Sequence, residues 1–187
     1  MSQFTKNAII RSFLEILNEK PFDKITVTDI VERCGVNRNT FYYYYQDIYA
    51  LLDEVFQNER DAILSKYPVY DSWQEGFLQA TKFAFENKQA IFHIYNSIRK
   101  DTLEQYLYDV TSNAMTAFVR KQAEGLIVSE ENIRLLADFY TFGLMGFVFS
   151  WLNHGMKTDP KEIIRNAGVL LDGNIRYTLE KGYNHGG

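Results

Sequence analysis

Arg38, Asn39, Thr40, Tyr42, Tyr43 and Tyr44 stand within seven consecutive positions of this chain. These residue types suit the exposed edges of base pairs. Arginine can pair bidentately with guanine and asparagine with adenine, while a threonine methyl can pack on thymine. Tyrosine hydroxyls and helix N-termini can donate to phosphates, which fixes register without reading sequence. The run Tyr42–Tyr45 occupies four successive positions. On a helix these cannot all face inward, so at least two are exposed. Tyr42 is expected outward and Tyr45 inward.

No comparable set supports catalysis. His93, His154 and His185 are far apart and lack the spacing of metal ligands. The chain has no GxSxG, P-loop or GxGxxG pattern. Glu130 and Glu131 open a helix, where carboxylates favour the helix dipole without any chemistry. The sequence therefore implies no catalytic residue, no metal and no cofactor. Cys34 is the lone cysteine, which leaves no internal disulfide framework and fits a reducing cytoplasm.

The elements that must position the six residues are short. Ile9, Ile10, Phe13, Leu14 and Leu17 recur with helical period over residues 4–19, and Pro21 and Phe22 close that helix. Thr26 with Asp29 three residues on reads as a capping box for a second helix, stopped by Gly35. Asn37 is a good N-cap for a third helix beginning at Arg38. Two short helices joined at Gly35–Val36 make a helix-turn-helix unit. Ile30, Cys34, Val36 and Phe41 have the spacing to seal it, leaving Arg38 to Thr40, Tyr42 and Tyr43 on the outside. Asp47 caps a fourth helix carrying Leu51, Leu52, Val55 and Phe56.

Beyond the segment Tyr67–Asp71, which includes Pro68 and reads as a domain junction, five further helical stretches follow. Ser72 with Glu75 opens one, and others cover 90–98, 102–122 and 130–154. The last starts after Thr158 or Asp159 with Pro160 first, where its missing N–H is harmless. The fold class is all-α, about nine helices. The domain division is 1–46 for the helix-turn-helix domain, 47–66 for a connecting helix and 67–187 for a C-terminal helical domain.

Of the 187 residues, 46% are apolar and 16% aromatic, enough for a sizeable core or ligand pocket. The net charge of −4 argues against a protein that coats nucleic acid non-specifically. Residues 1–50 hold six basic and six acidic side chains, so DNA binding there must come from local arrangement. The uncharged run Phe139–Met156 is long enough to raise a membrane span, which takes about 20 apolar residues. Thr141, Ser150, Asn153, His154 and three glycines favour a buried or dimer-interface helix instead. No secretory signal opens the chain, and the expected location is the cytoplasm, away from membrane.

Residues 9–56 resemble the DNA-binding domain of the TetR/AcrR transcriptional regulators. The shared pattern reads here as ITVTDIVERCGVNRNTFYYYYQD followed by a leucine-bearing helix. The C-terminal likeness is one of architecture. The resemblance implies that Thr26 and Thr28 approach the phosphates and that Arg38, Asn39 and Thr40 form the base-reading turn. It places Tyr42, Tyr43 and Tyr44 on backbone and bases. The chain departs from the family at Ile48, where lysine usually anchors a phosphate, at Tyr44, where histidine is frequent, and at Val31, which replaces a small alanine. Either affinity falls or Lys6, Lys24 and the tyrosines make up the contact.

The resemblance also implies a homodimer on a palindromic double-stranded DNA operator and a small-molecule effector. Aromatic pocket candidates are Phe85, Phe92, His93, Tyr95, Tyr106, Phe142 and Trp151, each of which could instead be plain core. The dimer seam would use Gly143, Gly146, Phe147 and Ser150 on one helix and Ile164, Ala167, Leu171 and Ile175 on the last. Three readings stay open: a ligand-responsive repressor, a DNA-binding regulator controlled by a protein partner, and a ligand-binding protein that has lost DNA binding.

Overall fold

The computed structural model describes residues 2–66, 73–171 and 173–183, with the side chains of residues 2, 66, 76, 79, 80, 170, 171, 182 and 183 left out. Every regular element among them is helical: α1 (Ser2–Glu19), α2 (Val27–Cys34), α3 (Arg38–Tyr44), α4 (Ile48–Lys66), α5 (Trp73–Glu86), α6 (Lys88–Tyr95), α7 (Lys100–Gln122), α8 (Glu130–Asn153), α9 (Pro160–Leu171) and α10 (Asn174–Tyr183). A single 3-10 turn covers Phe22–Lys24. The expected junction at Tyr67–Asp71 and the Ser72 half of the Ser72–Glu75 cap lie outside the described residues.

The chain forms two compact units, Met1–Asp61 with Glu86–Tyr106 and Ala62–Phe85 with Leu107–Gly187. In the first, α1 packs against α2 and α6, and α2 packs against α3. Ile9, Phe13, Leu17, Ile30, Phe41, Leu51 and Leu52 are each 0% exposed, so one apolar core holds the three N-terminal helices and the start of α4. Each such side chain removed from water contributes about 1.5–3 kcal/mol before entropy is subtracted. Ile30 and Phe41 seal the helix-turn-helix as the spacing predicts, while Cys34 and Val36 are only half-buried at its rim.

The helix boundaries follow local chemistry. Thr26 Oγ1 accepts from the Asp29 N–H at 3.2 Å, and the Asp29 carboxylate accepts from the Thr26 N–H at 2.7 Å, closing the capping box. Gly35 ends α2 in the left-handed region, φ 71°, which a side chain would strain. In the second unit α8 packs against α9 and α10. The single final helix expected from sequence is two, because Gly173 at φ 83° breaks it between α9 and α10. The described residues therefore form ten α-helices, in line with the expected all-α fold of about nine. Among the described residues α8 is the one helix long and apolar enough to cross a membrane. It buries Ile133, Ala137, Tyr140, Thr141, Leu144, Met145, Val148, Trp151 and Leu152, a single continuous face.

Candidate nucleic-acid interface

The helix-turn-helix presents its third helix outward. Asn37 caps α3, its Oδ1 accepting from the Thr40 N–H at 2.8 Å and from the Thr40 hydroxyl at 3.0 Å. Thr40 is thereby engaged in the cap and half-buried, whereas Arg38 and Asn39 stand exposed at the first turn. Tyr42 is 54% and Tyr43 79% exposed. Tyr44 is half-buried and meets the Tyr43 ring edge-on at 5.0 Å. Tyr45 is buried at 3%, so the run of four tyrosines splits between surface and core. Arg38 donates from its guanidinium to the Thr28 hydroxyl, which links the first turns of α2 and α3.

Most of the cations in this segment are held by the domain itself. Lys20 pairs with Asp29 at 2.7 Å and Arg11 with Glu15 at 3.0 Å. Arg33 makes a two-pronged pair with Glu19 at 2.6 and 2.7 Å. Lys6 meets Glu54 at 2.8 Å and lies 5.9 Å from the centre of the Tyr45 ring. Burial, then the charge of Glu54, pushes the Tyr45 phenol above its ordinary range. Ile48, the first residue of α4, borders a groove of about 190 Å³ shared with Ile25, Val27 and Tyr42 and with Asp23 and Asp47. The Asp47 carboxylate accepts from the Ala50 N–H at 2.8 Å and so caps α4. That cap is legible in the sequence, whereas the ion pairs of Lys6, Lys20 and Arg33 join residues too far apart along the chain to be read there.

The bonds from Lys20 and then from Thr26 hold the Asp29 carboxyl down, from 3.8 to about 2. Its contribution to stability is complete above the ordinary carboxylate pKa and is lost as pH falls through about 2. Asp29→Asn should cost roughly 1 kcal/mol at neutral pH, the size of one cap and one exposed ion pair. Thermal melts of both chains should converge as the pH is lowered from 5 towards about 2. A gap that stays constant over that range rules the assignment out.

In the second unit, α8 leaves a long apolar face uncovered in the protomer. Leu135 is 68%, Phe139 70%, Phe142 63% and Phe147 42% exposed, and Tyr177 on α10 is 55% exposed. Two grooves follow this face. One of about 470 Å³ is bordered by Asn132, Leu135, Phe139 and Thr178, and one of about 710 Å³ by Phe139, Phe142, Gly143, Phe147 and Tyr177.

Residues 9–55 match the model of the bacterial regulatory proteins of the tetR family, and residues 71–173 match a transcriptional regulator C-terminal region. The second match alone spans more than half of the chain. The chain belongs to the TetR family. Among relatives, the HTH-type dhaKLM operon transcriptional activator DhaS of Lactococcus lactis subsp. lactis (strain IL1403) is 29% identical over 96 residues, 50% of this chain and 51% of that protein. The uncharacterized HTH-type transcriptional regulator YxbF of Bacillus subtilis (strain 168) is 23% identical over 175 residues, 90% of this chain and 44% of that protein. The chain thus spans about half the length of these curated relatives. Two solved structures share the fold. The dihydroxyacetone kinase operon activator DhaS has a TM-score of 0.77 at 19% identity, covering 92% of this chain and 97% of its own. A TetR transcriptional regulator from Streptococcus agalactiae 2603V has a TM-score of 0.61 at 20% identity, covering 91% and 94%.

In this TetR-family chain the aromatic pocket candidates divide between the units. Phe92, His93, Tyr95 and Tyr106 lie in the first, and Phe85, Phe142 and Trp151 in the second. His93 Nδ1 is 2.6 Å from the Leu17 carbonyl oxygen and fastens α6 to α1. The Lys100 ammonium sits 4.4 Å from the centre of the Tyr95 ring. Tyr106 is buried against Phe56, ring centres 4.9 Å apart. Phe85 stacks on Trp151 at 6.3 Å, and the Trp151 indole N–H donates to the Thr158 carbonyl at 2.8 Å. Phe142 instead faces outward on α8 beside Tyr108.

The seam candidates divide as well. Gly143, Gly146, Phe147 and Ser150 are all exposed on the outer face of α8. Ala167 and Ile175 are each 1% exposed and packed inside the protomer, and Ile164 is half-buried. The side chain of Leu171 lies outside the described residues. The surface that α10 adds beside α8 carries Asn174, Tyr177 and Thr178.

Proposed function

We propose that the protein is a cytoplasmic transcriptional regulator that binds a palindromic double-stranded operator as a homodimer. The observation that carries the reading is α3. Its inner side is locked by the fully buried Phe41, while Arg38, Asn39, Tyr42 and Tyr43 stand outward on a short capped helix. That is the placement a recognition helix needs in the major groove. The exposed stripe of α8 with Tyr177 of α10 supports the dimer, since a face this apolar is a candidate to pack on its own copy. A Cβ added at Gly143 or Gly146 meets nothing within 4 Å, so the protomer's own packing makes no use of those glycines. A two-fold pair would offer two recognition helices about 34 Å apart, one turn of DNA.

Control by a small-molecule effector acting on the C-terminal region goes with this reading, and the effector can shift the equilibrium only by its differential affinity for the two states. The name of the Lactococcus lactis relative, an operon transcriptional activator, favours a second reading in which bound protein promotes transcription. Selection of bound sequences from random duplex DNA tests the core of the proposal. Recovery of a palindrome by the wild-type chain, lost with Arg38→Ala plus Tyr42→Ala, is the expected result. No enrichment at low salt would leave a ligand-binding protein without DNA function.

A further inference from the structure

We infer that Thr28 is a positioning residue that aims the Arg38 guanidinium at its base pair, and not itself a phosphate contact. The inference rests on the DNA-binding reading above. Arg38 is exposed at the first position of α3, and its terminal nitrogen donates to the Thr28 hydroxyl on the first turn of α2. Thr28 is half-buried and rigidly placed, because the capping box of Thr26 and Asp29 fixes the backbone on both sides of it. A hydroxyl is neutral, so it orients the guanidinium without cancelling its charge.

The other arginines of the segment show the contrast. Arg33 spends both terminal nitrogens on Glu19, and Arg11 gives its Nε to Glu15. Among the described residues Arg38 has no carboxylate partner. A guanidinium carries five N–H donors in a fixed fork. With one directed at Thr28, the remaining donors can still make the paired contact to a guanine edge. The hydroxyl therefore restricts a long side chain before DNA arrives and so lowers the ordering cost of binding. A threonine placed to contact phosphate would act on every sequence alike. A threonine acting through Arg38 changes affinity only where Arg38 reads a base.

The test measures binding of the full chain to the selected operator and to a panel of its single-base-pair variants at fixed salt. The chains compared are wild type, Thr28→Val, Thr28→Ser, Arg38→Ala and Thr28→Val with Arg38→Ala. Thr28→Val is expected to lose about 3- to 10-fold of the discrimination at the one base pair per half-site that Arg38→Ala also loses, a part of the effect of a bidentate contact. Thr28→Ser keeps the hydroxyl and should retain discrimination, and Thr28→Val should add nothing in the Arg38→Ala background. Uniform weakening on every sequence, persisting without Arg38, overturns the inference in favour of a phosphate contact. Absence of binding by the wild-type chain to any duplex is a different result: it overturns the functional reading, and this inference with it.

Discussion

Between about 50 and 200 mM salt, operator affinity is expected to fall only about 10- to 150-fold. The reason is the pairing of the first segment. Of its six basic residues, Lys6, Arg11, Lys20 and Arg33 each face a carboxylate of their own domain. Among the described residues only Lys24 and Arg38 of this set have no such partner, which is two per protomer. Each neutralised phosphate contributes a slope of about −0.9 in log affinity against log salt, so two to four contacts per dimer give about −2 to −4. If all twelve cations of a dimer were available, the slope would approach −11 and the loss over the same range would exceed about a million-fold. A measured slope steeper than about −6 would show that the internal pairs open on DNA.

Ile48 provides the positive control. It is half-buried at the first position of α4, where the family usually places a phosphate-binding lysine. Ile48→Lys adds one cation per protomer and should steepen the slope by about two units per dimer while tightening binding at low salt. Lys6 faces Glu54 and the Tyr45 ring within the domain, so on the proposed reading it serves as an anchor only where that pair opens on DNA. On the proposed reading the phosphate-fixing role falls largely to neutral donors, such as the exposed hydroxyls of Tyr42 and Tyr43. The pairing of Lys6 is visible in the contacts and not in the sequence, since its partner Glu54 is far along the chain.

That difference marks what sequence could and could not show. The caps of Thr26, Asn37 and Asp47 and the stop at Gly35 involve residues no more than a few positions apart, and the structure has each of them. The inward and outward split of Tyr42 to Tyr45 follows from helical geometry together with a fully buried Phe41. The break at Gly173 was legible in principle, as a glycine in a helical run, but periodicity on both sides masked it. Periodicity reports that a face is buried and is silent on what buries it. Ala167 and Ile175 share the spacing of a seam, yet their own unit covers them. Aromatic type is equally silent. Tyr106 is core, His93 fastens two helices, and Phe142 points outward, and only tertiary placement separates the three.

Phe139→Glu with Phe142→Glu should halve the mass in solution from twice 21.9 kDa to 21.9 kDa and lower operator affinity by about 100- to 10,000-fold. Both rings are exposed in the protomer, at 70% and 63%, so charging them costs its internal packing little. In the dimer the same positions would place carboxylates in a desolvated seam, and like charges repeat across a two-fold axis. Loss of the dimer then removes the linkage that makes the second half-site an intramolecular event. Ala167→Glu is the informative companion. Its side chain is 1% exposed, so a carboxylate there should unfold the protomer and give no folded monomer. A double variant that stays dimeric and keeps its operator affinity would remove α8 from the seam. Loss of helical signal in the double variant would show that the two rings belong to the protomer's own core, against their exposure.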